Sequence, residues 1–296
     1  MKLLNASGCL DALTAPEIAR SLDAFVTKTV TPLPREGNAP PRIAEVEHGM
    51  LNSIGLANPG IDCFISNSLP RLAELGVPIW VSVGGFEVVD YADLCDRLDD
   101  LPEIAVIELN VSCPNVDDVP AGVGELVAAA RGATRKPLYT KLSPATADVA
   151  EVAQAAQRAG TDGLSLVNTI LGLALDERTL QPRLSRSAGG LSGPALKPIA
   201  LAAVHACYAA TGLPIVGMGG ISSRRDALEF VAAGASSVAL GTILFSDPGA
   251  PGRIRTELSG ELRQLGVDGL DNIVGLAHAE PAPHLVRAER AASVSS

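Results

Sequence analysis

Ile215-Val216-Gly217-Met218-Gly219-Gly220-Ile221 is an apolar stretch that contains a glycine pair, and Ser237-Val238-Ala239-Leu240-Gly241-Thr242 is a second apolar stretch, about twenty residues later, that ends in Gly-Thr. Each stretch predicts a buried strand that runs into a tight turn. In (β/α)8 barrels, the loops after the last two strands commonly form a phosphate site with a helix N-terminus. Glycine suits such a site because its backbone N–H can approach an anion without a Cβ in the way. The two stretches therefore favour a phosphate-binding barrel, with two tight turns that bind nothing as the alternative.

The rest of the chain repeats the same alternation of apolar strands and Ala-rich helices. Helices are predicted over 147–159, 194–211 and 224–233, and the strands over 2–7, 25–30, 79–83, 105–111, 138–142, 163–167, 214–218 and 237–240. The strands are buried-type runs and not alternating ones, as expected when both faces of a parallel sheet are covered. We predict an α/β fold, a single-domain (β/α)8 TIM barrel over residues 1–280, with a doubly wound open sheet as the competitor. Two long loops, 31–59 and 170–192, interrupt the pattern, and residues 281–296 are predicted to be a flexible tail.

Composition limits the class of protein. The chain has 296 residues, of which 47% are hydrophobic and 19% charged, with a net charge of −10. These values are typical of a compact enzyme and argue against a disordered chain. The negative charge argues against a nucleic-acid partner, because binding phosphate backbones needs clustered Lys and Arg.

The cysteines predict neither a metal site nor a cluster within this chain. There are five of them, none in a C-x-x-C pair: Cys9, Cys63, Cys95, Cys113 and Cys207. An odd number without a signal peptide indicates a reducing compartment, and we expect the cytoplasm. No apolar run reaches the ~18 residues that a membrane span needs. We expect every cysteine except Cys113 to be a small residue of the core.

Chemistry-bearing side chains follow several predicted strands. The stretch from Ile107 to Asn115 places two amides, a hydroxyl and the Cys113 thiol after a strand. Lys28 and Lys141 end two other strands, where a buried ammonium is costly unless an anion meets it. A flavin fits, because a lysine beside its N1–O2 edge stabilises the reduced anion. Either lysine could instead extend to solvent or pair structurally.

The chain resembles dihydroorotate dehydrogenases over nearly its whole length. The matching stretches are Asn5-Ala6-Ser7-Gly8, Thr27-Lys28-Thr29, Arg35-Glu36-Gly37-Asn38, Leu51 to Leu56, Glu108 to Asn115, Lys141-Leu142-Ser143-Pro144, Val167-Asn168-Thr169, Gly189 to Pro194, Gly219-Gly220-Ile221 and Gly241-Thr242. The resemblance implies an FMN-containing barrel that oxidises dihydroorotate to orotate in pyrimidine synthesis.

Site residues follow from the resemblance by position. Cys113 should be the catalytic base, which marks the soluble class of the family. The pyrimidine should be held by Lys28, Asn52, Gly55, Leu56, Asn110, Asn115, Asn168 and Thr169. The FMN should be held by Ala6, Ser7, Gly8, Lys28, Thr29, Asn110, Lys141, Val167, Gly193, Gly219, Gly220, Gly241 and Thr242. A thiol is suited to take the C5 proton, since its pKa of about 8.5 lies near neutrality.

The subtype and the electron acceptor are left open by the sequence. The stretch from Arg35 to Asn38 looks like that of fumarate-using homodimers, whereas Gly189 to Pro194 looks like the subtype paired with an iron–sulfur flavoprotein. Few residues precede the first motif, which leads us to expect an open barrel bottom or a misplaced start. By resemblance we expect a homodimer, and no membrane partner. The alternatives are a dihydrouracil-type dehydrogenase, which usually has histidine where Asn115 stands, a non-redox phosphate-binding barrel, and a non-catalytic partner protein.

Overall fold

A computed structural model describes residues 1–111, 122–265 and 269–279 of the chain. Its strands, in chain order, are β1 (Lys2–Asn5), β2 (Phe25–Val26), β3 (Ile43–Val46), β4 (Gly49–Asn52), β5 (Ile79–Val83), β6 (Ile104–Asn110), β7 (Leu138–Leu142), β8 (Gly163–Leu166), β9 (Ile170–Leu173), β10 (Ala188–Ser192), β11 (Ile215–Met218) and β12 (Ser237–Leu240). Eight of them are parallel neighbours in the order β1-β12-β11-β8-β7-β6-β5-β2. The predicted (β/α)8 barrel is confirmed.

The side chain of Asn5 closes the barrel between β1 and β2. Its Oδ1 accepts a hydrogen bond of 2.8 Å from the N–H of Val26, and its Nδ2 donates one of 2.8 Å to the Val26 carbonyl. A parallel bridge joins Leu4 to Ala24 beside it. Because β2 is two residues long, the buried carboxamide supplies pairing that a longer strand would provide through its backbone.

Helices surround the barrel and terminate for local reasons. They are α1 (Pro16–Arg20), α2 (Ile61–Cys63), α3 (Leu69–Ala73), α4 (Val88–Asp99), α5 (Val123–Ala133), α6 (Val149–Arg158), α7 (Lys197–Thr211), α8 (Arg224–Ala232), α9 (Ile243–Ser246) and α10 (Ala250–Leu265). The carboxylate of Asp148 accepts from the first N–H groups of α6, and Gly212 ends α7 with a φ of 63°. Both are usual solutions for unpaired groups at helix ends.

The apolar core has two parts. One lies between the barrel and the helices, and its largest fully buried side chains include Phe230, Leu94 and Leu126. The other fills the barrel interior, where the rings of Trp80 and Tyr139 lie 4.7 Å apart beside Leu4, Val106 and Val216. This filled interior closes the lower part of the barrel and leaves the carboxyl ends of the strands for a site.

The two long segments predicted as loops form a second sheet. Strands β3 and β4 come from residues 31–59, strands β9 and β10 from residues 170–192, and they pair antiparallel in the order β3-β4-β10-β9. The expectation of loops was incomplete because the two segments form one sheet only through the pairing of β4 with β10, which lie about 140 residues apart in the chain. Leu51 and Leu184, for example, are buried together with Ala44 in a small core under this sheet.

Two predictions concern the ends of the domain and membrane association. Residues 281–296, predicted to be a flexible tail, lie outside the described residues, so that prediction and the boundary at 280 stay predictions. Within the described part of the chain, no helix combines the length and apolar character needed to span a membrane.

Candidate active site

A cavity of about 300 Å³ opens at the carboxyl ends of the barrel strands. Every predicted site residue that the structure describes lines it: Ala6, Ser7, Gly8, Lys28, Thr29, Asn52, Gly55, Leu56, Asn110, Lys141, Val167, Asn168, Thr169, Gly193, Gly219, Gly220, Gly241 and Thr242. These residues come from nine separate stretches of sequence, which the barrel brings to one place. Their individual roles remain predictions.

Glycines from three segments form one end of the cavity. Gly193 and Gly220 have φ angles of 99° and 76°, which side chains other than glycine rarely adopt. A Cβ on Gly220 would lie 2.8 Å from the Gly193 carbonyl oxygen and 2.9 Å from the Cβ of Lys197. The two segments therefore touch through their backbones, which leaves their peptide groups close to the cavity. Gly241 and Thr242 line the same cavity from the turn after β12.

The N-terminus of α8, which follows this glycine pair, is closed by its own side chains. Asp226 Oδ2 accepts hydrogen bonds of 2.9 Å from the N–H groups of both Ser222 and Ser223. The Ser223 hydroxyl in turn accepts from the Asp226 N–H at 3.2 Å. This capping box engages the N–H groups of Ser222, Ser223 and Asp226. Gly219 and Gly220 line the cavity, whereas Ser222, Ser223 and Asp226 do not, so we expect an anion there to meet the glycine backbone.

Two lysines place positive charge in the cavity. Lys141 is 5% exposed, and it lies opposite Asn110 in the register of β6 and β7. The Lys28 side chain packs against Gly8, so closely that a Cβ added to this glycine would lie 2.9 Å from the lysine Cδ. Burial raises the pKa of the Cys9 thiol, and the charges of Lys141 and Lys28 oppose that rise. The charges of both ammonium groups are therefore felt in the same part of the cavity, beside Cys9.

A chain of hydrogen bonds fixes the amides at the base of the cavity. Thr29 Oγ1 lies 3.1 Å from Ser82 Oγ and accepts a 3.0 Å bond from Asn110 Nδ2. Asn168 Nδ2 donates to Asn110 Oδ1 at 3.1 Å, and Asn168 Oδ1 accepts from the Thr169 N–H at 2.8 Å. The Asn110 side chain is held at both ends, so the amide is presented to a planar ligand in one orientation.

Comparison with known proteins identifies the family. The family model described as dihydroorotate dehydrogenase matches residues 2–262. The chain belongs to the dihydroorotate dehydrogenase family. This confirms the resemblance found in the sequence, and it does not favour the dihydrouracil-type alternative. Members of this family depend on a flavin.

Two relatives and two solved structures give the degree of similarity. "Dihydroorotate dehydrogenase B (NAD(+)), catalytic subunit" of Desulforudis audaxviator is 45% identical over 264 residues, with 87% of this chain and 86% of that protein covered. The protein of the same name from Pelobacter propionicus is 46% identical over 261 residues, with 86% of each covered. The dihydroorotate dehydrogenase of Eimeria tenella has the same fold. Its ferulenol complex gives a TM-score of 0.81 at 23% identity, covering 95% of this chain and 86% of that one. Its ligand-free form gives 0.80 at 23% identity, covering 94% and 89%.

The second sheet forms one wall of this dihydroorotate dehydrogenase cavity. Asn52, at the end of β4, donates from Nδ2 to the Gly190 carbonyl of β10 at 3.2 Å. Gly55 and Leu56 follow in the cavity lining, and Leu56 has a φ of 58°. The sheet therefore delivers the predicted pyrimidine-binding segment to the barrel mouth, which the sequence had placed in a loop.

Several cavity residues were not selected from sequence. They are Cys9, Ile43, Met50, Ile54, Ala57, Ser192, Leu196, Met218, Ile221 and Phe245. Cys9 was expected to be a small core residue, but it is only partly buried and lines the cavity. Met50 and Ile54 flank Asn52, and apolar residues beside a polar one in a long segment were the available signal. Ile43 and Phe245, which are 51% and 56% exposed, gave no signal, because exposed apolar residues are common on any surface.

The remaining cysteines differ in what the structure says of them. Cys95 and Cys207 are fully buried, as expected, and burial raises the pKa of each thiol to about 12. Cys63 is partly exposed. Cys113 and Asn115 lie outside the described residues, so their assignments stay predictions. Among the residues that the structure describes, no group of three His, Cys, Asp or Glu side chains could hold a metal ion.

Proposed function

We propose that this chain oxidises dihydroorotate to orotate in pyrimidine synthesis, with FMN as its flavin. The observation that carries the proposal is the convergence of the described candidate residues on one cavity of a family barrel. The cavity fits the nucleotide, since glycine backbone lines one end and two lysines and a set of amides line the rest. Bound FMN would supply a hydride acceptor for the C6 hydrogen of the substrate.

The chain's own residues would bind both molecules. Gly193, Gly219, Gly220, Gly241 and Thr242 would hold the phosphate through backbone N–H groups. Lys141 would offset negative charge on the reduced ring, since a cation in a low-dielectric cavity acts strongly on a nearby anion.

The substrate would be oriented mainly by amides. Asn52, Asn110 and Asn168 would pair with the carboxylate and ring amides of dihydroorotate, because carboxamides donate and accept without adding charge. Lys28 would offset the carboxylate. The Thr29–Asn110–Asn168 chain would fix the orientation of two of these amides before the substrate binds.

Cys113 is the proposed base for the C5 proton. It follows β6 by three residues and belongs to the matched stretch from Glu108 to Asn115. A thiolate would take the proton, and Asn115 would contribute to substrate binding beside it. These two assignments rest on the sequence.

A partner subunit is proposed from the names of the relatives. They are catalytic subunits of an NAD(+)-linked enzyme. We infer that electrons leave this chain through a second, flavin- and iron–sulfur-containing subunit for NAD⁺, with fumarate as the competing acceptor. A homodimer of this chain is proposed by resemblance, and sedimentation velocity of the purified protein would detect it.

The purified protein offers a direct test. We expect a yellow protein whose flavin is released as FMN on denaturation. Under anaerobic conditions, dihydroorotate should bleach the flavin absorbance, whereas dihydrouracil should bleach it much more slowly. Reoxidation by NAD⁺, fumarate, quinone and oxygen, with and without the partner subunit, would then identify the acceptor. A colourless protein that cannot take up FMN, or one bleached faster by dihydrouracil, would refute the proposal.

A further inference from the structure

A charged cluster lies directly behind the glycine end of the cavity. It consists of Lys197 at the start of α7 and of Asp226 and Glu229 on α8, and is called here the α7–α8 cluster. Lys197 Nζ contacts Asp226 Oδ1 and lies 2.7 Å from Glu229 Oε2. Asp226 is 8% exposed, so its charge is held within the protein and not on a solvated face.

Asp226 is the residue that joins the cluster to the loop after β11. Its Oδ2 accepts from the N–H groups of Ser222 and Ser223 and from their hydroxyls, at 2.9 to 3.0 Å. Burial would raise the pKa of Asp226, but Lys197 and the two serines lower it to about 2. The carboxylate is therefore charged throughout the physiological range, and it holds this loop with charge-assisted hydrogen bonds.

Lys197 joins the same carboxylate to the opposite segment. It begins α7, directly after the short 3₁₀ turn Pro194–Leu196 that follows Gly193. Its Cβ is one of the atoms that a side chain on Gly220 would strike, at 2.9 Å. The salt bridge thus spans the two glycine segments at the point where their backbones touch.

We propose that the α7–α8 cluster positions the phosphate-binding backbone, with Asp226 and Lys197 as positioning residues that do not contact the ligand themselves. The proposal rests on the proposed FMN site. Asp226 accepts from the N–H groups of Ser222 and Ser223, and the glycine N–H groups would bind the phosphate. Through its salt bridge with Lys197, Asp226 also sets the spacing between Gly193 and Gly219–Gly220. The charge of Lys197, together with that of Arg225 beside Glu229, also offsets two carboxylates that would otherwise repel a dianion.

The test compares FMN with riboflavin, which has the same ring system but lacks the phosphate. Apoprotein would be titrated with each flavin, and binding followed by the quenching of flavin fluorescence. Wild type should bind FMN more tightly than riboflavin. Asp226→Asn should weaken FMN binding by roughly tenfold or more, since the hydrogen bonds it loses are to a charged group, and should leave riboflavin binding within about twofold.

Matched variants separate positioning from folding. Asp99→Asn is the control, because Asp99 likewise holds a loop through the Thr134 hydroxyl and the Arg135 N–H, at 2.7 and 2.6 Å, but at the amino end of β7. It should leave the affinities for both flavins unchanged. Lys197→Met should weaken FMN binding in the same selective way and Lys197→Arg should largely restore it, which keeps the test available if Asp226→Asn does not fold.

Three results would overturn the proposal. Equal losses of FMN and riboflavin affinity in the cluster variants would indicate a general structural role. Unchanged FMN affinity in those variants would show that the cluster does not act on the phosphate. Third, wild-type protein that binds FMN without preference over riboflavin would show that the phosphate is not held at this site, although the flavin reaction could still occur. Failure to bind either flavin would be a different result, because it would refute the proposed function itself.

Discussion

The hydroxyl of Thr29 has a role that its position in the sequence does not reveal. Thr29 is 1% exposed, and it links Ser82 to the carboxamide of Asn110. Thr29→Val keeps the shape but leaves the Asn110 Nδ2 donor without this acceptor, at a cost of about 1–3 kcal/mol. We predict that kcat/KM for dihydroorotate falls by roughly tenfold or more. Thr29→Ser, which retains the hydroxyl, should stay close to wild type in steady-state assays, and equal effects of the two variants would contradict the proposed link.

The proposed base gives a second prediction for a single residue. Cys113→Ser replaces a thiol with an alcohol, which is a far weaker acid and is rarely ionised near neutrality. We expect flavin reduction by dihydroorotate to slow about a hundredfold or more at pH 7, with the flavin still bound. Stopped-flow absorbance under anaerobic conditions measures the rate. Cys63→Ser provides the control, since Cys63 lies outside the cavity lining, and an unchanged rate in Cys113→Ser would remove the base assignment.

At the scale of elements, closure of the barrel depends on a side chain. Asn5→Ala would leave the N–H and carbonyl of Val26 buried without the partners they have in the structure. Each such group costs about 1–3 kcal/mol, so we predict a clear fall in the urea midpoint of unfolding. Asn67→Ala removes an exposed amide that donates to the Cys63 sulfur at 3.3 Å, and it should change stability by no more than ~0.5 kcal/mol. Equal midpoints for the two variants would show that the backbone closes the barrel unaided.

The bounds of the strands show how far the local sequence predicts the fold. Strands 79–83, 138–142 and 237–240 were predicted with the bounds they have in the structure, because short runs rich in apolar residues between helical stretches are distinctive. The strand predicted over 25–30 ends at Val26, since Thr27 and Thr29 pair with Ser82 through their side chains. The pattern of apolar residues does not encode such side-chain pairing. The strands at 49–52 and 188–192 were missed for a related reason: they pair with each other across about 140 residues of sequence, which a local pattern does not encode.

The candidate site was more predictable than its supporting contacts. Motifs such as Gly219-Gly220 carry their chemistry in residue type, so the sequence sufficed to place them in a cavity. Asp226 and Lys197 have no comparable signature, because an acidic residue three positions into a helix usually serves as a cap. Their salt bridge joins residues 29 positions apart in the chain, and the fold was needed to show that it spans two glycine segments.

For the whole molecule, ionisable groups predict a range of pH in which the fold is most stable. The pKa of Asp226 lies near 2, below its ordinary value of 3.8, and hydrogen bonds to Arg225 and Lys197 lower that of Glu229. A carboxyl with a lowered pKa stabilises the fold above its unfolded pKa, and this contribution is lost as the pH falls through the folded value. Burial raises the pKa of Cys95 from 9.0 to about 12. The free energy of unfolding therefore falls as the pH rises between those two values, because the thiol ionises more readily in the unfolded chain. Thermal unfolding should therefore show a plateau between about pH 5 and 8, with a fall on each side.

Variants of Asp226 and Cys95 test whether these groups contribute to the acid and alkaline limbs of this stability profile, which are its falls below about pH 5 and above about pH 8. Asp226→Asn should lower the unfolding temperature at pH 7, where the carboxylate is charged and fully bonded. It should also lose less stability than wild type between pH 4 and pH 2, because the titrating group is gone. Cys95→Ala should make the alkaline limb above pH 9 shallower for the same reason, at the cost of a small cavity, while the Cys207 thiol, whose pKa burial also raises to about 12, keeps part of that limb. Acid limbs of equal steepness in wild type and Asp226→Asn would mean that this carboxylate is not held in the folded state by the bonds described, and the positioning role of the α7–α8 cluster would lose its electrostatic basis.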